Sequence, residues 1–181
     1  MNRYEASAQP ELVECGPVSG LAVTGQGEPG GAAYGASVGA LYAVMGALEA
    51  PMVPLEGFWW TEDERPPLEV PRGEWWWHLF LALPDGTAPE AVRAAREKVR
   101  AGVPAASRVQ QVTIHEGRCV QMLHFGDYAD EPASLARMGA LMEAEGLAMN
   151  GPHHEVYLSD PRETDPEKKA TILRHPVRAA G

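Results

Sequence analysis

Hydrophobic and polar positions alternate along parts of this chain and recur every three to four residues along others. Alternation marks strands, whose successive side chains point to opposite faces, and the longer period marks helices. Segment 11–25, ELVECGPVSGLAVTG, reads as an extended strand kinked at Gly16-Pro17, and a glycine-rich turn, GQGEPGG, follows. Residues 34–49 predict a helix with Val38, Leu41, Tyr42, Met45 and Leu48 at helical spacing, closed by Pro51 and Pro54. LEGFWWT at 55–61 predicts a strand, RPPLEVPRG at 65–73 a loop, and EWWWHLFLAL at 74–83 another strand.

Residues 88–102 predict a second helix, with Thr87 as N-cap, Pro89 near the first helical position and Gly102 at its end. Its stripe of Val92, Ala95 and Val99 is modest, which places it on the outside. Segment 108–125 reads as a long strand broken at Glu116-Gly117, followed by the turn GDYADEP. Residues 132–145 predict a third helix with Leu135, Met138, Leu141 and Met142 inward. HHEVYLSD is a strand, 160–169 a polar loop and 170–178 a last strand.

The same unit is used twice in this order. The kinked strand at Gly16-Pro17 corresponds to the one at Glu116-Gly117, LEGFWWT to HHEVYLSD, and EWWWHLFLAL to ATILRHPVR. The expectation is an α+β fold: duplicated β-α-β-β units, 11–83 and 108–178, joined by the connector helix 88–102 in one domain. Their strands would form a mostly antiparallel sheet with helices on one side and a ligand cleft between the repeats.

At 181 residues and 45% hydrophobic, the chain can build one ordinary domain with a sizeable core. The N-terminus shows no apolar segment or cleavage-like site, and no apolar run approaches the ~18 residues of a membrane span. A soluble, cytoplasmic protein is expected. Cys15 and Cys119 lack CxxC or zinc spacing and read as buried thiols, though their pairing stays open. The net charge of −10 and scattered cations argue against direct nucleic-acid binding. They favour neutral or cationic ligands. A monomer and a homodimer are equally compatible with the composition.

The strand at 153–159 carries the candidate chemistry. His153, Glu155, Tyr157 and Ser159 share one face; His154, Val156 and Leu158 share the other, which reads as core. A carboxylate inside an apolar strand must be paired, protonated or reserved for a ligand. Arg174 is a candidate structural partner for Glu155. In the functional reading, burial raises the pKa of Glu155 and makes it a general acid or base. His153 and His154 are adjacent, point apart and cannot chelate one ion together. HxE at 153–155 lacks a PCxxC partner, so no metal and no cofactor are expected. His124 shares a face with Met122 and reads as a satisfied structural histidine or a pocket group. No GxSxG, P-loop, GxGxxG or HExxH occurs, which disfavours nucleophilic catalysis.

All five tryptophans lie within residues 59–77. Trp59 shares a face with Leu55 and Gly57, Trp60 with Glu56 and Phe58; Trp75 and Trp77 share one face of the next strand, Trp76 and His78 the other. With one sheet face on helices, the opposite face is left aromatic and suits flat apolar ligands. A packed core or a subunit interface is the alternative. A carboxylate below such rings also suits a cationic aromatic ligand.

The blocks PLEGFWW, CVQMLHFGDYADEP and HHEVYLSDPRETDPEKKATILRHPV resemble the stand-alone GyrI-like small-molecule-binding family, from about Glu11 to Val177. Gly126-Asp127-Tyr128 resembles that family's Gly-Pro-Tyr turn, with Asp in place of Pro. The resemblance implies an aromatic pocket with a strand glutamate at its floor, matched by Glu155. Some stand-alone members hydrolyse cyclopropane-bearing DNA alkylators, which implies a detoxifying, drug-resistance role. The residues before Glu11 are too few for a helix-turn-helix. On this reading Glu155 activates water and Tyr157 orients it. Phe58, Trp59, Trp60, Trp77, Tyr42, Met122, His124, Tyr128 and His153 line the ligand site. The alternatives are a drug-sequestering protein without turnover and a gyrase-inhibitor-type regulator.

Overall fold

The computed structural model describes residues 2–160, 163 and 165–181; Pro161, Arg162 and Thr164, in the predicted polar loop, lie outside the described residues. Contacts divide the chain into two compact units. A terminal unit holds Met1–Pro17, Pro54–Glu56 and His115–Gly181, and an inner unit holds Val18–Val53 and Gly57–Ile114. The fold is α+β and mostly antiparallel, as the patterning predicts. No helix among the described residues is long and apolar enough to cross a membrane.

The inner unit contains β2 (Val18–Gln26), α1 (Ala32–Ala47), most of β3 (Leu55–Trp60), β4 (Trp76–Ala82), α2 (Pro89–Val99) and β5 (Gln110–Ile114). Its strand order is β5-β2-β4-β3. β2 pairs antiparallel with β4, setting Leu21 opposite Leu81 and Gly25 opposite Trp77. A Cβ on Gly25 would come within 2.2 Å of the Trp77 indole, so glycine there admits the ring. Ala22, Phe58 and Phe80 form a buried cluster with Val18, Ala82, Val112 and Ile114 against it.

α1 packs on β2 and β4, and α2 packs on α1 as an outer layer, burying Val92 and Ala95. The buried stripe of α1 is Ser37, Ala40, Leu41, Val44 and Met45, rotated from the predicted one. Small Ser37 and Ala40 face inward because they allow close approach, and the Ser37 hydroxyl satisfies itself on Ala33 O at 2.8 Å. Thr87 does not cap α2. Ala88 holds the cap position, and the Thr87 hydroxyl donates to Pro84 O at 2.7 Å.

The terminal unit contains β1 (Glu11–Cys15), β6 (Gly117–Phe125), α3 (Glu131–Ala144), β7 (Leu147–Met149), β8 (His153–Tyr157) and β9 (Ala170–Ala179). Its order is β1-β6-β9-β8, with β7 also on β9. α3 packs on β6 and β7, and Met138 enters a cluster of Val120, Met122, Leu147, Leu173 and Val177. Leu135, Leu141 and Met142 lie against that cluster. Cys15 and Cys119 are both buried and free.

The two strand orders match: leading strand, long strand, last strand, middle strand. The leading strands are exchanged between halves of the sequence. β1 runs into β2 but pairs with β6, and β5 runs into β6 but pairs with β2. The kinks at Gly16-Pro17 and Glu116-Gly117 are where each strand changes partner. Gly117 takes φ +68°, which glycine adopts without a Cβ clash.

Candidate functional site

The candidate site lies in the terminal unit. β8 alternates as predicted: His154 and Val156 are fully buried, while His153, Glu155 and Tyr157 line the half-buried face. β8 pairs with β9 with His154 opposite Arg174. Continuing that register sets His153 opposite His175, and the two rings meet edge to face at 5.0 Å. His153 Nε2 lies 3.0 Å from Glu155 Oε1, and His175 Nε2 lies 2.9 Å from His153 Nδ1. The Tyr157 hydroxyl donates to Glu155 Oε2 at 2.7 Å. Arg174, the candidate partner read from the sequence, is engaged elsewhere: its Nη2 and Nε bind Gln121 Oε1 at 2.9 and 3.1 Å.

These distances set the proton positions. Glu155 can only accept as a carboxylate, so His153 donates through Nε2 and its Nδ1 accepts from His175 Nε2–H. His175 Nδ1 is then an unprotonated nitrogen, buried and without a partner. Burial first, and the neighbouring His153 second, push the His175 pKa down to about 3. Both oxygens of Glu155 thus carry a hydrogen bond, and donations run inward to it from both sides.

α3 brings a second carboxyl to the same place. Its first residue, Glu131, is buried, with 8% of its surface exposed, and its Oε1 has no hydrogen-bond partner. Burial, then the charge of Glu155, raises the Glu131 pKa to about 9. The turn from β6 into α3 sets this position. Gly126 takes φ +119°, its N–H donates to Lys169 O at 3.2 Å, and Lys169 Nζ binds Asp127 Oδ1 at 2.6 Å. His124 Nε2–H donates to Asp127 O at 3.2 Å while Ser134 Oγ–H donates to its Nδ1 at 3.0 Å. His124 is therefore a satisfied histidine that braces the turn. Tyr128 packs edge to face on Tyr157, with ring centres 6.0 Å apart, and burial raises its pKa. Glu131, His153 and Glu155 each offer a metal-ligating atom, all within 4.8 Å of one another. These residue types could hold a divalent ion, although donors on one zinc lie roughly 3.3 Å apart.

The predicted site residues fall into separate groups. Glu155, Tyr157, His153 and Tyr128 come together, joined by Glu131 and His175. Met122 sits in the hydrophobic cluster under α3. Trp59, Trp60, Phe58, Trp77 and Tyr42 belong to the inner unit. There Tyr34 stacks on Trp59 at 5.9 Å and meets Trp77 edge-on at 5.7 Å. The Trp77 indole N–H is fully buried without an acceptor. Trp60 and Trp76 stack at 6.1 Å on half-buried positions. Phe58 packs on Phe80 in the core, and the Tyr42 hydroxyl donates to Val53 O at 3.2 Å.

His154, read as core from its alternation, is buried between two carboxylates. Its Nε2 lies 3.0 Å from Glu56 Oε2 and its Nδ1 2.9 Å from Glu116 Oε1. Arg3 pairs with Glu56, donating from Nε at 2.8 Å, and Arg174 Nη1 reaches Glu116 Oε2 at 3.4 Å. Burial opposes every charge here, yet the Glu116 and Glu56 carboxylates raise the His154 pKa, and His154 with the arginines lowers both carboxylates. Only the Glu56-containing face of β3 hinted at this cluster in the sequence.

Known proteins share this fold. The GyrI-like small-molecule-binding-domain family matches residues 87–178. An uncharacterized conserved protein from Listeria innocua is 37% identical, with 97% of this chain and 95% of that chain covered and a TM-score of 0.87. A Listeria innocua hydrolase is 35% identical over 97% and 94% of the two chains, with a TM-score of 0.85. The EcmrR C-terminal domain shares the fold at 15% identity, covering 95% and 98%, with a TM-score of 0.65. No curated protein matches. The chain belongs to the GyrI-like small-molecule-binding-domain family.

Proposed function

We propose that this GyrI-like protein is a hydrolase that adds water to polycyclic aromatic electrophiles carrying a strained three-membered ring, the chemistry of cyclopropane-bearing DNA alkylators. The observation that carries this reading is the anchored Glu155 carboxylate, with His153 on one oxygen and Tyr157 on the other. A base held by two hydrogen bonds on a half-buried strand face is oriented before substrate arrives. The Listeria innocua hydrolase, at 35% identity over nearly the whole chain, supports a hydrolytic activity.

In a spirocyclopropyl cyclohexadienone, Glu155 takes a proton from water as the water oxygen bonds to the ring methylene. The cyclopropane C–C bond breaks, and its electron pair moves through the dienone to the carbonyl oxygen, which is protonated to a phenol. The product is the substrate plus water. Tyr157 holds Glu155 and, with Tyr128, offers an aromatic edge to the ligand. His153 and His175 keep the opposite side of the carboxylate in place.

The test is mass-spectrometric assay of a duocarmycin-type spirocyclopropane with catalytic amounts of protein. Hydrated product should accumulate over many turnovers, and Glu155→Gln should slow it about 10²–10⁴-fold, the usual worth of a general base. Equal rates in the two proteins would remove Glu155 from the chemistry. A second reading, drug sequestration without turnover, is favoured by the aromatic array of the inner unit. It predicts tryptophan quenching by the same compound with no hydrated product.

A further inference from the structure

Glu131 has no role in the reading above, and its position is unusual for a carboxyl. At the start of α3 an acid is normally ionised and exposed, favoured by the helix dipole. Here the side chain is turned into the protein, 8% exposed, with Oε1 buried and unpartnered. Glu155 and His153 lie close to it, with one ligand atom of each residue within 4.8 Å of the others. No cation among the described residues pairs with it, and Lys169, which reaches the turn from the start of β9, is spent on Asp127. Two carboxyls this close repel when both are ionised, and with no cation between them the pair favours holding a proton. Glu155 already accepts a hydrogen bond on each oxygen, from His153 and from Tyr157, whereas Glu131 Oε1 has no partner. The proton therefore resides on Glu131, in keeping with the raised pKa of about 9.

We propose that Glu131 is a second catalytic carboxyl, the general acid that protonates the substrate oxygen while Glu155 deprotonates water. The proposal rests on the hydrolase reading. The water proton goes to Glu155, the Glu131 proton goes to the carbonyl oxygen that receives the electron pair, and the C–O bond forms as the cyclopropane C–C bond breaks. Glu131 ends as carboxylate and Glu155 as carboxyl. A single proton passing from Glu155 to Glu131, directly or across a water, restores the starting state. The same division of labour selects the ligand class: neutral electrophiles whose leaving electrons end on an oxygen, such as dienones.

The test compares wild type, Glu131→Gln and Glu131→Asp on a duocarmycin-type spirocyclopropane, with kcat and kcat/KM measured against pH and binding measured by equilibrium dialysis. Wild-type kcat/KM should fall as pH rises past about 9. Glu131→Gln should bind within a few-fold of wild type, lose about 10²–10⁴-fold in kcat, and show no alkaline limb; Glu131→Asp should recover part of the rate. The infrared carbonyl band of a protonated carboxyl, present in wild type at neutral pH, should vanish in Glu131→Gln. Wild-type kcat in Glu131→Gln, or no such band in wild type, overturns the proposal while leaving the role of Glu155 intact. So does turnover that a chelator abolishes and a divalent metal restores, which would make Glu131, His153 and Glu155 ligands instead. An inert wild-type protein sinks the hydrolase reading itself.

Discussion

At the residue scale, the site is a carboxylate surrounded by donors with a neutral acid beside it. Removing the Tyr157 hydroxyl deletes a hydrogen bond to a charged group, worth about 1.5–3 kcal/mol. Tyr157→Phe should therefore reduce turnover about tenfold or more by steady-state kinetics; an unchanged rate would limit Tyr157 to packing. Glu131 carries a cost in stability. Its folded pKa of about 9 lies above the ordinary 4.5, so between those values the unfolded chain releases a proton that the folded chain retains. Stability contributed at this site falls as pH rises through that window. Glu131→Gln should accordingly raise the melting temperature, and raise it more at pH 8.5 than at pH 5.5. A melting temperature that is unchanged at both pH values would contradict the buried neutral acid.

Glu155 and Tyr157 were legible because alternation alone puts them on one face of one strand. Glu131 was not. An acid opening a helix after a turn looks like ordinary helix-dipole chemistry, and only the turn braced by Gly126, His124 and Lys169 shows that it points inward. His175 is not legible in the sequence for a similar reason, since its closeness to His153 depends on the register between β8 and β9.

At the element scale, period and punctuation located all three helices, because each buries a face of its own. Partner choice was invisible. The alternation of ELVEC marks a strand, but nothing in five residues says that β1 leaves β2 to pair with β6. The buried stripe of α1 departs from the spacing of its large residues because close packing on β2 favours Ser37 and Ala40. β2 itself gives a local test. Gly25→Ala places a methyl against the fully buried Trp77 indole, and overpacking of this kind costs about 1–3 kcal/mol. Urea denaturation should show that loss; wild-type stability would mean the ring can shift aside.

At the scale of the whole molecule, residues from far apart in the chain converge on His154. Arg3, Glu56, Glu116 and Arg174 enclose it in the terminal unit, so Arg3 is tied into the fold through Glu56. The folded pKa values of Glu56 and Glu116 lie below their ordinary 4.5, so their contribution is complete above that value and is lost as pH falls through the lowered ones. His154 is raised above 6.5, so its contribution is complete below 6.5 and is lost as pH rises through the raised value. His175, lowered to about 3, adds stability that is full above 6.5 and fades as pH drops from there. Acid should therefore unfold the protein progressively below about pH 5. Arg3→Ala should cost about 2–4 kcal/mol by leaving Glu56 under-compensated. An Arg3→Ala protein with wild-type melting and acid profiles would contradict this.

The most direct test of the central claim is hydrolysis of a duocarmycin-type spirocyclopropane in heavy-oxygen water, followed by mass spectrometry. Label should enter the opened product once per molecule, over many turnovers, and the rate should collapse in Glu155→Gln while binding persists. Unlabelled or absent product from the wild-type protein, with the compound still bound, would contradict a hydrolase and leave a binding protein in its place.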